Sequence, residues 1–107
     1  MSTIKYHKLV RDRIPEIIEA DGKICLSSVL SQEEYICMLE EKLDEELAEY
    51  QESKSMEELA DLLEVMMAVA KARGSSFEEV ESIRKEKAKK RGSFEKRILL
   101  TEVIDKE

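Results

Sequence analysis

The chain has 107 residues, which suits one domain with a small hydrophobic core. Charged residues make up 40% of it and aromatic residues 5%, with 3 glycines and 1 proline, which is typical of a helix-rich, ordered protein. The net charge of −7 argues against nucleic-acid or membrane-surface binding, which requires a basic surface, but permits a nucleotide ligand whose charge a metal ion offsets.

The first predicted helix covers Pro15–Ala20, because proline is tolerated in the first turn and Asp21-Gly22 ends it. The apolar residues of Lys23–Leu30 come in clumps and do not alternate as in a half-buried strand, so we predict a loop there.

Met1–Lys5 does not resemble a signal peptide, and no apolar run approaches the ~20 residues of a membrane span, so we expect a cytoplasmic location.

Three further helices are predicted from serines followed three residues later by glutamate, the pattern of a capping box. They run from Ser31 to about Glu52, from Ser55 to Arg73, and from Ser76 to about Gly92. The tail, Ser93–Glu107, contains five large aliphatic residues, and we expect it to pack back onto the helices of one compact domain, residues 1–107.

Acidic residues lie at the edge of the apolar face on two of these helices. On a helical wheel centred on Leu39, Glu46 falls at the edge of the apolar arc and Glu49 on its flank. On the next helix, Glu58 and Asp61 lie beside the expected buried stripe, which consists of Leu59, Leu62, Leu63, Met66 and Ala70. Residues three apart share a helix face, and two helices with a short connection pack antiparallel, so the four carboxylates are expected to converge.

Four oxygen ligands without histidine or cysteine favour Mg²⁺, or Mn²⁺, over Zn²⁺. Mg²⁺ usually keeps waters and binds substrate phosphates as well, so the pattern indicates phosphate chemistry. Two alternatives are solvated surface carboxylates in an acid-rich chain and, for Glu58, completion of the Ser55 capping box.

The run Glu45-Glu46-x-x-Glu49 followed by Glu58-Leu59-Ala60-Asp61-Leu62-Leu63 resembles the EExxE…ExxD signature of the MazG-like nucleoside triphosphate pyrophosphohydrolases. These belong to the all-α NTP pyrophosphatase group, with phosphoribosyl-ATP pyrophosphohydrolases and dimeric dUTPases. The segments Lys8–Ile18 and Arg91–Ile98 resemble a small single-domain branch of the group. The resemblance therefore covers most of the chain.

This resemblance implies an all-α bundle of about four helices that is completed in a homodimer or a higher homo-oligomer. It also implies hydrolysis of a nucleoside triphosphate to the monophosphate and pyrophosphate. It implies metal ligation by Glu46, Glu49, Glu58 and Asp61, with Glu45 as the residue that orients water or takes its proton. The substrate-binding residues expected with it are Lys42, Lys54, Lys87, Arg91, Lys8 and Arg11.

Only eight residues separate Glu49 from Glu58, which leaves little loop above the expected site. We therefore expect base recognition to come from the N-terminal segment or a partner subunit. Two alternatives to this function are phosphoribosyl-ATP as the substrate, and a non-enzymatic helical module that uses its acidic face for docking.

Overall fold

Four α-helices carry the fold in a computed structural model, which describes residues 2–107; Met1, included in the predicted domain, lies outside them. The helices are α1 (Ile14–Ala20), α2 (Gln32–Ser53), α3 (Met56–Ala72) and α4 (Phe77–Arg91). The described residues contain no β-strand, and residues 23–30 are irregular. The predicted all-α class, the loop and all four helices are thus confirmed, with helix ends within one or two residues of prediction. None of these helices is both long and apolar enough to cross a bilayer.

Serine side chains begin the last three helices, as the sequence pattern predicts. At α2 both halves of the capping box form, because Ser31 Oγ accepts from Glu34 N at 3.2 Å and Glu34 Oε1 accepts from Ser31 N at 3.3 Å. Ser55 and Ser76 each accept from the N–H three residues later, at 3.2 and 3.1 Å. These bonds satisfy backbone donors that have no partner within the helix.

The helices α2 and α3 form an antiparallel pair. Lys54 ends α2 in the left-handed conformation, with φ of 57°, and so lets the chain reverse within two residues. At the far end, Gln32 Nε2 donates to the Ala72 carbonyl at 3.0 Å, and Arg73 Nη2 lies 2.8 Å from Glu40 Oε1. These contacts join the start of α2 to the end of α3.

The small core lies between α2 and α3. Among the described residues, Leu39, Val65 and Ala70 are the buried hydrophobic ones, and the single buried charged residue is Glu46. Glu46 lies seven positions after Leu39, two helical turns along, and therefore on the same face of α2. The face of α2 that meets α3 thus carries a carboxylate in its buried part.

The predicted buried stripe of α3 is confirmed only in part, because Ala70 is buried but three other members are not. Between 41% and 46% of the surface remains exposed on three of its members, Leu59, Leu63 and Met66. The face that meets α2 instead passes through Val65, with Asp61 one turn earlier and Glu58 two turns earlier. The helix α3 packs mainly against α2. The edge that carries Glu58 and Asp61 meets α2 and is half-buried, while the most apolar face stays more exposed.

The prediction that the C-terminal tail packs back onto the helices is wrong. Five of its aliphatic residues are 75% to 84% exposed: Ile98, Leu99, Leu100, Val103 and Ile104. The helix α4 contacts only α3, and α1 contacts no other helix of the described chain. The radius of gyration is 19.5 Å, against ~13 Å for a compact domain of this length, so the single chain is elongated. In the single chain the tail therefore leaves its apolar residues in contact with water.

Candidate functional site

Five carboxylates meet where the middle of α2 faces the start of α3. Oxygen atoms of Glu46, Glu58 and Asp61 all lie within 4.8 Å of one another, and so do those of Glu45, Glu46 and Glu49. Glu46 belongs to both triplets and links them. We call this group the carboxylate cluster: Glu45, Glu46, Glu49, Glu58 and Asp61. The structure therefore brings together all four predicted metal ligands and the predicted catalytic glutamate.

Glu46 is the buried centre of the carboxylate cluster. Only 7% of the surface of the whole residue is exposed, and Oε2 has no hydrogen-bond partner among the described residues. Oε1 lies 3.4 Å from Lys42 Nζ. Burial, and then the negative charge of Glu49, raise the pKa of Glu46 above its ordinary value of 4.5. A buried carboxylate oxygen without a partner is costly, so this position favours a bound cation or a proton.

Glu58 shows the same features on α3. Its Oε2 is buried without a hydrogen-bond partner within residues 2–107, and burial, followed by the charge of Glu49, raises its pKa. The alternative that Glu58 completes the capping box is wrong, because the Ser55 N–H donates to Ser53 Oγ at 3.2 Å. The Glu58 backbone N–H serves the cap, and its side chain joins the carboxylate cluster.

Three of the predicted substrate-binding cations contact the carboxylate cluster. Lys42 Nζ lies 3.2 Å from Glu45 Oε1, and its side chain is only 17% exposed. Lys8 Nζ approaches the same oxygen at 2.9 Å, and the hydrogen bond from Lys8 holds the pKa of Glu45 below 4.5. Arg11 Nη2 lies 2.6 Å from Asp61 Oδ1. The sequence predicts that Lys8 and Arg11 bind the substrate, but their ion pairs with Glu45 and Asp61 were not predicted. The spacing of two basic residues three positions apart was the one feature that could have indicated these pairs.

The other three predicted substrate-binding residues make no contact with the carboxylate cluster. Lys54 caps α2, and its Nζ lies 5.7 Å from the ring centroid of Tyr50. Lys87 and Arg91 lie exposed on α4 and form no ion pair or side-chain hydrogen bond with any residue of the described range. Within one chain, then, the basic residues at the cluster come from α2 and the N-terminal segment.

Comparisons with known proteins add little about function. No family model matches the chain, and no solved structure matches it. An uncharacterized protein from Mycolicibacterium smegmatis is 55% identical over 42 residues, which are 39% of this chain and 43% of that protein. The chain therefore spans less than half of this relative's length, and the match carries no assigned activity. The geometry of the carboxylate cluster is the main guide to function.

Proposed function

We propose that this protein is a cytoplasmic, MazG-like nucleotide pyrophosphohydrolase that hydrolyses a nucleoside triphosphate to the monophosphate and pyrophosphate. The observation that carries the proposal is the buried Glu46 carboxylate, with an unpartnered oxygen among four other carboxylates. Such an arrangement is unfavourable in a purely structural role, since burying a charged oxygen that has no partner costs stability. The proposed substrates are non-canonical or excess nucleotides.

The chemistry of the carboxylate cluster fits a hard divalent cation. All its donors are carboxylate oxygens, which suit Mg²⁺ or Mn²⁺, and two of these oxygens are buried without partners. Glu46, Glu49, Glu58 and Asp61 would hold the ion. Bound there, Mg²⁺ would supply positive charge that polarises phosphate oxygens and makes water a better nucleophile.

Residues of the chain itself have separate proposed roles around this ion. Hydrogen bonds from Lys8 and from Lys42 lower the pKa of Glu45, which favours the ionised carboxylate that orients water or takes its proton. Lys42 is largely buried beside Glu45 and Glu46, where its ammonium group offsets negative charge on the phosphates.

We also propose that the chain functions as a homodimer. The exposed face of α3 borders an apolar groove of about 320 Å³ lined by Met56, Leu59, Ala60, Leu62, Leu63 and Met66. Apolar residues of this face and of the tail remain exposed, and burial against a second copy would remove them from water. A partner subunit is also the proposed source of Lys54, Lys87 and Arg91 contacts to the substrate.

A panel of nucleotides tests the activity. The purified protein is incubated with Mg²⁺ and canonical and modified NTPs and dNTPs, and with phosphoribosyl-ATP, and pyrophosphate release is measured. We expect release from at least one nucleoside triphosphate, its loss in Glu46→Gln, and its retention in Glu41→Gln, an exposed position on α2. Absence of pyrophosphate from every nucleotide, with helical circular dichroism intact, would contradict the proposal and favour the docking module.

A further inference from the structure

The N-terminal segment is held on the helix pair by two ion pairs. Residues 2–13, here called the N-terminal strap, precede α1, which contacts no other helix of the described chain. Within residues 2–107, the hydrogen bonds and ion pairs that join the strap to α2 and α3 are Lys8 with Glu45, at 2.9 Å, and Arg11 with Asp61, at 2.6 Å. Both partners belong to the carboxylate cluster. Both of these polar contacts of the strap thus end on the carboxylate cluster.

These two ion pairs are weak enough to exchange. The side chains of Lys8 and Arg11 are 42% and 58% exposed, and pairs with this much exposure contribute little net stability. A divalent cation carries twice the charge of a guanidinium group and competes directly for Asp61. Once Asp61 is bound to a cation, its remaining attraction for Arg11 falls. The cation and the Arg11 guanidinium group then repel each other across a short distance, which favours movement of Arg11 away from Asp61.

We propose that Lys8 and Arg11 exchange partners when the site is loaded, which rests on the proposed function. Without a cation they neutralise Glu45 and Asp61 and hold the strap over the carboxylate cluster. A divalent cation at Asp61 displaces Arg11, and both basic side chains then bind phosphate oxygens of the incoming ligand. Guanidinium and ammonium groups suit phosphate as well as carboxylate, because both anions offer charged oxygen acceptors. The strap therefore weakens binding of the cation, through Arg11, and strengthens binding of the phosphates, through Lys8 and Arg11.

Arg11→Gln separates these two effects, with Arg13→Gln as the matched control. Arg13 lies two residues away, and its substitution removes the same charge. Within residues 2–107 it pairs only with Glu16, at 3.4 Å. Calorimetry measures binding of Mg²⁺ alone, and then binding of inorganic imidotriphosphate, which resists hydrolysis, at saturating Mg²⁺. Relative to Arg13→Gln, we expect Arg11→Gln to bind Mg²⁺ two- to fivefold more tightly, since a competitor of an exposed ion pair is gone. We expect it to bind imidotriphosphate about tenfold more weakly.

Tighter binding of Mg²⁺ together with weaker binding of imidotriphosphate supports the exchange, and the reverse pair of changes overturns it. Equal affinities in the two variants overturn it, and so does a change of the same sign for both ligands, which a structural role of Arg11 produces. If wild-type protein binds Mg²⁺ but the variants do not differ, the exchange fails while the proposed metal site stands. If the folded wild-type protein binds no Mg²⁺, the proposed function and the exchange fail together. In wild-type protein, ¹⁵N relaxation should show faster motion of residues 5–12 after Mg²⁺ is added, and unchanged motion counts against strap release.

Discussion

Replacing Glu46 by glutamine should stabilise the metal-free fold. The Glu46 side chain is 9% exposed, and Oε2 has no partner, so the native protein bears the cost of a buried, incompletely paired charge. That cost is about 1–3 kcal/mol. The lost attraction to Lys42 offsets it only in part, because Lys42 Nζ keeps its ion pair with Glu45 Oε1, at 3.2 Å. Glutamine keeps the shape and adds an amide donor for the neighbouring carboxylates. We therefore expect the free energy of unfolding to rise by about 1 kcal/mol, and Tm by roughly 4–8 °C.

The same substitution should remove stabilisation by Mg²⁺. An ion that binds only the folded state adds RT ln(1 + [L]/Kd), or about 1.4 kcal/mol at ten times Kd. Thermal unfolding is followed by circular dichroism in EDTA and in increasing Mg²⁺, for wild type, Glu46→Gln and the control Glu41→Gln. We expect Glu46→Gln to be the most stable of the three in EDTA and the least responsive to Mg²⁺. Glu41 is exposed on the same helix, so its variant should follow wild type in both conditions.

Two results would refute this reasoning separately. A Glu46→Gln variant that keeps the full Mg²⁺ response shows that the ion binds elsewhere or without this oxygen. A variant that is less stable than wild type in EDTA shows that Lys42 compensates the buried charge fully, so that the carboxylate cluster does not destabilise the apo fold.

The pH dependence, the cap and the dimer give three further predictions. The folded state raises the pKa of Glu46 above 4.5, so the stability that this carboxyl contributes without metal falls as pH rises above 4.5. The urea midpoint of Glu46→Gln should therefore increase relative to that of wild type over this pH range. Ser31→Ala should lower the free energy of unfolding by about 1 kcal/mol in urea titrations, whereas the exposed loop variant Ser27→Ala should change it by less than about 0.5 kcal/mol. Light scattering should give twice the 12.4 kDa chain mass for wild type and one chain for Leu63→Glu, with Val29→Glu, on a fully exposed loop residue, unchanged.

Each of these predictions has a contradicting result. A pH-independent difference between wild type and Glu46→Gln means that this carboxyl does not titrate differently in the two states. Equal stabilities of the two serine variants mean that the α2 cap contributes nothing measurable. A wild-type mass of one chain at working concentration removes the proposed dimer.

The site was predictable from the sequence to the extent that it depends on helix periodicity. Glu46 and Glu49, and Glu58 and Asp61, share helix faces because three residues make nearly one turn. A left-handed Lys54 and a two-residue connection then bring the two faces together, and the carboxylates converge as expected. The binding of an ion and the hydrolysis of a nucleotide stay predictions, because they depend on ligands outside the chain.

Which contacts close the site could not be predicted, because they join residues far apart in the chain. Lys8 and Arg11 come from an irregular segment with no periodicity to orient them, so their pairing with Glu45 and Asp61 is visible only in three dimensions. Lys87 and Arg91 are similar in charge and lie on a regular helix, yet α4 does not place them at any cluster carboxylate in the described chain.

Local sequence determined where the helices begin and end. Serine caps begin α2, α3 and α4, and a cap acts on backbone groups within four residues of it. Only the tertiary structure decided which face of α3 is buried. The apolar stripe of Leu59, Leu63 and Met66 was expected inside, but the acidic edge with Glu58 meets α2 instead. Burial depends on which surfaces meet. Because α3 packs mainly against α2, its apolar face is left open to water or to a second copy.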